Sequence, residues 1–351
     1  MFSNFFHRFS HDMGVDLGTT NTLVYVRGRG IVMNEPSVVA VNTKTDKILA
    51  IGREAKGMLG KTPPHILAIR PLVKGVVSDF EATEKMLQYF IEKVHKEHSF
   101  FFPKPKIVIG IPLDTTEVER KAVEDAALSA GAHTVHLVEE VMASSLGARL
   151  PVGESTGSMV VDIGGGTTEI AVLALYGIVS AKSLKVAGYE LDKYIVNYIR
   201  EEFELLIGEA TAEELKINLG SAAPTDLTLQ EMKIRGRDLV VGLPKEVTVT
   251  QEQVREAMQR PLTLIIDTIK GVLENTPPEL VADVSSRGIV LTGGGALLPG
   301  FDRAVEAALG IPVKVADDPL TCVVRGTGAI LEDHKLLLEV VVPSTRDDIV
   351  G

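Results

Sequence analysis

The chain has 351 residues, 45% hydrophobic and 24% charged, which excludes a disordered or collagen-like protein and makes two domains the first expectation. A single cysteine, Cys322, excludes an internal disulfide or a Cys-based zinc site and fits a reducing cytoplasm. The net charge of −11 argues against a general nucleic-acid or anionic-lipid binder, and no apolar run is long enough for a membrane span or shaped like a signal peptide.

Aromatic residues make up 5% of the chain and Trp is absent, yet seven of the eleven Phe fall in two short stretches. The first is N-terminal. Phe2, Phe5, Phe6 and Phe9 follow i, i+3, i+4, i+7 spacing, one stripe of a short helix suited either to a membrane surface or to packing on the protein's own body. Residues 13–26 then read as strand, turn, strand, with Asp16 closing the first apolar run before Gly18, Thr19 and Thr20. Residues 55–62 nearly match a phosphate-binding P-loop. However, Ala55 replaces its first glycine, and Pro63-Pro64 steers Thr62 away from the helix such a loop must open.

Residues 81–98 carry an apolar helical face of Met86, Leu87, Phe90, Ile91 and Val94. The second Phe cluster, Phe100, Phe101 and Phe102, precedes Pro103 and reads as a loop tip. It lies in a basic stretch with Lys93, Lys96, Lys104 and Lys106 against Glu97, suited to anionic headgroups. Lys106–Ile111 reads as a buried strand. Thr116 and Glu119 form a capping box for a helix running to Gly131, whose glycine suits a left-handed position. His95 with His98 and His133 with His136 share a spacing of three that would put each pair on one helix face. Without a third ligand, packed or solvated histidines are the favoured reading. Glu139-Glu140 follows a strand-like run and opens a helical segment; it reads either as a carboxylate that orders an attacking water or as a solvated helix start.

Residues 159–173 repeat the first hairpin, with Asp162 before Gly164, Gly165, Gly166, Thr167 and Thr168, which marks a domain-scale duplication. Residues 191–207 read as one helix. Residues 288–291 read as a strand leading through Gly293, Gly294 and Gly295 to a helix at Phe301–Leu309. No strand–GxGxxG–helix unit supports a Rossmann site.

Glycine turns after strands let backbone N–H groups approach phosphate oxygens, with Thr hydroxyls as further donors. Either hairpin alone could be an ordinary turn; the repeat favours two phosphate turns facing each other across a cleft. Asp16 and Asp162 would repel a polyphosphate directly, so such a site needs a divalent cation, most naturally Mg²⁺ held partly through water. The third glycine cluster suits close approach of a sugar or base.

Several strings resemble the MreB family of bacterial actins. They are Asp16-Leu17-Gly18-Thr19-Thr20-Asn21-Thr22, Asn34-Glu35-Pro36-Ser37-Val38-Val39-Ala40, Ala68-Ile69-Arg70-Pro71-Leu72, Asp162-Ile163-Gly164-Gly165-Gly166-Thr167-Thr168-Glu169, Gly208-Glu209-Ala210-Thr211-Ala212-Glu213, Thr292-Gly293-Gly294-Gly295-Ala296 and Asp318-Pro319-Leu320-Thr321-Cys322. The similarity runs from about residue 12 to 332. It implies the α/β actin-like fold of actin, hexokinase and the heat-shock chaperone ATPases: two duplicated domains around a nucleotide cleft, each with a small subdomain. Residues 1–150 with 312–351 would form domain I, with its subdomain near 34–70; residues 151–311 would form domain II, with its subdomain near 188–245.

The resemblance further implies ATP and Mg²⁺ as cofactors, with slow hydrolysis coupled to polymer dynamics. Filaments on the inner face of the plasma membrane would organise peptidoglycan synthesis and set rod shape, with the protein itself, the membrane and the cell-elongation machinery as partners. By matching motifs, Thr19, Thr20, Asn21 and the turn from Gly164 to Thr168 would hold phosphates. Glu213, Glu214, Leu215, Lys216, Gly293, Gly294, Gly295 and Ala296 would hold the nucleoside, and Glu140 with Thr167 would position water. Both Phe clusters match membrane-contacting segments of the family.

Three departures stand out: Val141 replaces the usual Pro, Ala187-Gly188-Tyr189 replaces Gly-Gly-Asp, and Glu214 sits where a basic residue is common. Two alternatives share the superfold. One is a soluble phosphotransferase acting on a sugar or acetate-like substrate. The other is a chaperone ATPase domain, for which the chain leaves no peptide-binding domain after Leu331.

Overall fold

The computed structural model describes residues 12–95, 104–225 and 230–343. Among the described residues, those up to Ser155, Ala174–Ile178 and those from Leu320 onward form unit 1; Thr156–Leu173 and those of Val179–Pro319 form unit 2. Both Phe clusters, together with Lys96 and His98, lie outside the described residues.

Unit 1 is built on five strands: β1 (Met13–Leu17), β2 (Asn21–Val26), β3 (Gly30–Pro36), β4 (Lys106–Ile111) and β5 (Thr134–Glu139), in the order β5-β4-β1-β2-β3. β1, β4 and β5 run parallel, while β2 and β3 are antiparallel to their neighbours. A strand covered on both faces reads as a continuous apolar run, and Ile107, Val108 and Ile109 are fully buried. Helix α1 (Phe80–His95) supplies Met86, Leu87 and Phe90 to the same core. Helix α2 (Glu117–Ser129) begins with the anticipated capping box: Glu119 N–H donates to Thr116 Oγ1 at 3.3 Å and Thr116 N–H to Glu119 Oε2 at 2.8 Å. Gly131 follows at φ 114°.

Helix α3 (Glu140–Gly147) packs on the helix Cys322–Glu332 through glycine. A Cβ at Gly147 would collide with the Cys322 carbonyl, and one at Gly326 with the Ala143 carbonyl, so main chain lies on main chain. Further along, the Tyr25 ring covers Gly328 and its hydroxyl donates to Glu332 at 2.6 Å. Burial and that carboxylate push the Tyr25 phenol up to about 12.

Unit 2 repeats the plan with β6 (Ser158–Ile163), β7 (Thr168–Ala174), β8 (Gly177–Leu184), β9 (Ile289–Thr292) and β10 (Val313–Val315), in the order β8-β7-β6-β9-β10. β6, β9 and β10 are parallel. Helices α4 (Gly188–Phe203), α5 (Glu209–Leu219) and α6 (Gln251–Glu274) bury Leu191, Ile195, Leu215, Ile265 and Ile269 in one core with Val161 and Ile163.

Two sequence readings are corrected, and the rejection of a P-loop stands. The helix expected across residues 191–207 stops at Glu204, which is left-handed at φ 52°; Leu205 and Leu206 then pair with Asp238 and Arg237 in a small second sheet. His136 lies in β5 and His133 just before it, so that pair shares no helix face. In the P-loop-like string, the helix covers only Arg53–Lys56, and Lys61 and Thr62 stand outside it.

Candidate functional site

Ligands of parallel α/β sheets sit beyond the carboxyl ends of the strands, where loops are free to vary over a rigid frame. In unit 1 the register pairs Val15 with Ile109 and Gly110 with Val138, so the strand ends carrying Asp16, Gly110 and Glu139 line up on that edge. The turn after β1 is held from outside. Ser37 donates its hydroxyl to the Gly18 carbonyl at 2.6 Å and its N–H to the Thr20 carbonyl at 2.9 Å, and Gly75 N–H donates to Thr19 Oγ1 at 2.9 Å. Gly18 has no room for a side chain, since a Cβ would lie 2.6 Å from the Asn21 carbonyl oxygen.

Glu140 is the first residue of α3, and its Cγ lies against Gly110. A Cβ on Gly110 would sit 3.3 Å from Glu140 Cγ and 3.2 Å from Val323 Cγ1, so the absent side chain defines where Glu140 rests. Burial pushes the neighbouring Glu139 carboxyl up, against the pull of Arg120. Val141, where the family usually has Pro, is fully buried. Of the basic stretch, Lys93 is engaged in an ion pair with Glu35 at 3.0 Å.

Unit 2 gathers Asp162, the turn from Gly164 to Thr168 and the third glycine cluster at one edge. Gly164 N–H donates to the Thr167 carbonyl at 2.9 Å, closing the turn. Gly293 stands at φ 77°, and a Cβ there would meet Asp162 Oδ1 at 2.5 Å and collide with the Ile163 carbonyl; one on Gly295 would collide with the Ile163 side chain. The third cluster is therefore wedged against the second hairpin, and a short 3₁₀ turn, Gly294–Leu297, follows it. Asp162 is buried, which raises its carboxyl to about 6 against the pull of the nearby Thr292 hydroxyl.

The other predicted residues of unit 2 divide by environment. Thr168 directs its hydroxyl to the Val186 carbonyl at 2.7 Å. Leu215 is fully buried in the core and Ala296 nearly so. Glu213 and Glu214 lie on α5 with Lys216, whose ammonium reaches Asp192 Oδ1 at 2.8 Å and the Gly188 carbonyl at 3.0 Å. Sequence reasoning gave no role to Gly110, Ser37 or Asp192, each of which acts on its partner across a long gap in sequence.

A chain made of two α/β units, each ending its central strand in Asp-x-Gly and a turn of backbone amides, has the actin fold. Solved structures agree. The crystal structure of MreB5 of Spiroplasma citri bound to ADP matches at a TM-score of 0.88 with 38% identity, covering 93% of this chain and 98% of that one. The MamK double helical filament matches at 0.78 with 26% identity, covering 92% and 98%. The chain belongs to the MreB/Mbl family, whose model, described as MreB/Mbl protein, matches residues 10–339. It is 51% identical over 336 residues to the cell shape-determining protein MreB of Escherichia coli (strain K12), covering 95% of this chain and 96% of the relative. Over 325 residues it is 48% identical to the cell shape-determining protein Mbl of Bacillus subtilis (strain 168), covering 93% and 97%. No helix among the described residues is long and apolar enough to cross a membrane.

Proposed function

We propose that the chain is an ATP-dependent bacterial actin that assembles into filaments on the inner face of the plasma membrane and directs cell-wall synthesis in setting cell shape. The observation that carries this reading is the duplicated Asp-x-Gly turn at the end of each central strand: Asp16 and Gly18 in unit 1, Asp162 and Gly164 in unit 2. Two related structures add weight: MreB5 of Spiroplasma citri has been solved with ADP and with AMPPNP.

The donor set suits Mg²⁺. Asp162 is a buried carboxylate whose ionised form is disfavoured without a counter-charge, and both it and Asp16 offer hard oxygen ligands. No cluster of three ligating side chains occurs among the described residues, so the cation would draw its remaining ligands from water and phosphate, as Mg²⁺ commonly does. When bound, it would neutralise polyphosphate charge. The chain's own residues then divide the work. The amides around Gly18 and Gly164 to Thr168 bind phosphate oxygens. Glu213 and Glu214, with Gly293 to Ala296, flank the nucleoside. Glu140 and Thr167 orient the attacking water, Glu140 accepting its proton. Neither turn supplies a Lys, so slow turnover is expected.

The test is assembly. Purified chain with Mg-ATP is examined by electron microscopy and pelleting, with and without anionic vesicles, while phosphate release is followed. Filaments that require nucleotide and coat vesicles support the reading. A protein that stays monomeric across concentration and salt while phosphorylating a small metabolite would instead be the soluble phosphotransferase of the same fold.

A further inference from the structure

Lys216 is spoken for by protein groups. Its ammonium lies 2.8 Å from Asp192 Oδ1 and donates to the Gly188 carbonyl at 3.0 Å, and its side chain is 17% exposed. Burial pushes the Asp192 carboxyl up and Lys216 draws it back down, the signature of an ion pair with little solvent. The Gly188 carbonyl belongs to the same peptide group as Tyr189 N–H, and that N–H donates to the Gly165 carbonyl at 2.9 Å. One residue earlier, Gly188 N–H donates to the Gly164 carbonyl at 3.1 Å.

These bonds form a line from ammonium to peptide 188–189 to the Gly165 carbonyl. A charged donor on a peptide carbonyl polarises that peptide and strengthens its N–H as a donor, so successive bonds reinforce one another. The peptide joining Gly165 to Gly166 is trans, which sets Gly166 N–H opposite to the Gly165 carbonyl. With that carbonyl fixed on α4, Gly166 N–H is fixed away from it, as a polarised donor.

We propose that Lys216 is a positioning residue for the phosphate turn: through peptide 188–189 and the Gly165 carbonyl it orients and strengthens Gly166 N–H as a donor to a polyphosphate oxygen. The proposal rests on the nucleotide-binding reading above and gives the turn, which has no Lys of its own, a source of positive charge. Asp192 holds the ammonium in register.

Two readouts test this in the full chain, with Lys216→Met, Lys216→Arg and Asp192→Asn. The first needs no ligand. Amide hydrogen exchange at Tyr189 should accelerate about tenfold in Lys216→Met, the scale of losing one charged hydrogen bond, and return toward the parent rate in Lys216→Arg. The second is competition against a fluorescent ATP analogue by Mg-ATP and by Mg-tripolyphosphate. Lys216→Met should weaken both by the same factor, about tenfold, with Asp192→Asn in the same direction. Loss confined to ATP, with tripolyphosphate unaffected, would make Lys216 a nucleoside contact and overturn the proposal. So would unchanged exchange at Tyr189. If Lys216→Met fails to fold, Asp192→Asn carries both readouts. If the parent chain binds neither competitor, the nucleotide reading falls on that ground alone, and the exchange result still decides whether Lys216 holds the turn.

Discussion

Gly110 and Glu140 are packed so that a single methyl on the glycine would sit 3.3 Å from the Glu140 Cγ, with Val323 closing the other side at 3.2 Å. On the proposed reading, the carboxylate that orients the attacking water has its place set by a missing atom on a neighbouring strand. We expect Gly110→Ala to displace Glu140 by a few tenths of an ångström and to slow ATP hydrolysis about tenfold, because small misplacements of a reacting group are costly. Nucleotide affinity should stay within about twofold, since the phosphate turns are untouched. Phosphate release and competition binding on the same preparation check this; equal loss of both would show that Gly110 supports folding alone.

Two glycines at nearly the same φ should respond differently. Gly28 stands at φ 72° with nothing within 4 Å of the place a methyl would take, whereas Gly293 at φ 77° faces Asp162 Oδ1 and the Ile163 carbonyl. Gly28→Ala should cost about 1 kcal/mol, the conformational penalty alone. Gly293→Ala should cost several-fold more, at least about 3 kcal/mol, and abolish nucleotide binding. Chemical denaturation of both variants measures the contrast, and similar losses would contradict it.

His136 makes unit 1 sensitive to acid. Burial lowers its pKa from 6.5, and Lys106 and His334 lower it further. The unfolded chain therefore takes up the proton first; stability is full above 6.5 and declines as pH falls below it. The variant His136→Gln should lose less stability than the parent between about pH 7.5 and 5.5. Parallel denaturant curves at the two pH values would show it, and identical losses would exclude His136 as the cause.

The proposed membrane attachment should be separable from nucleotide binding. Deleting residues 2–9 and replacing Phe100, Phe101 and Phe102 with Ser should leave ATP affinity unchanged and remove filaments from anionic vesicles. Each buried Phe contributes at most about 3 kcal/mol, so a monomer binds weakly and many sites in a row are needed for firm attachment. Continued co-sedimentation of the variant filaments with vesicles would refute the assignment.

Local chemistry was legible in the sequence, and long-range pairing was not. The capping box at Thr116 and Glu119 announces itself within four residues, and the helix begins there. Asp-x-Gly followed by Thr is equally local, and both turns fold as read. Helical periodicity overran at residues 204–207, because nothing nearby shows that Leu205 and Leu206 pair with a strand more than thirty residues on. The supports of the candidate site were hidden for the same reason. Ser37 on Gly18, Gly110 beneath Glu140 and Asp192 on Lys216 are single residues without a period, and only the fold brings them to their partners.

The crossing of α3 with the helix Cys322–Glu332 has a mechanical consequence. Helices normally slide past one another on a layer of side chains that can change rotamer, which is how shear motions are absorbed. At Gly147 and Gly326 that layer is missing, and carbonyl groups abut bare α-carbons. The two helices can translate only as one body. Any motion that shifts Glu140 within unit 1 must carry Cys322–Glu332, along with the Tyr25 ring seated on Gly328, as a single lever arm.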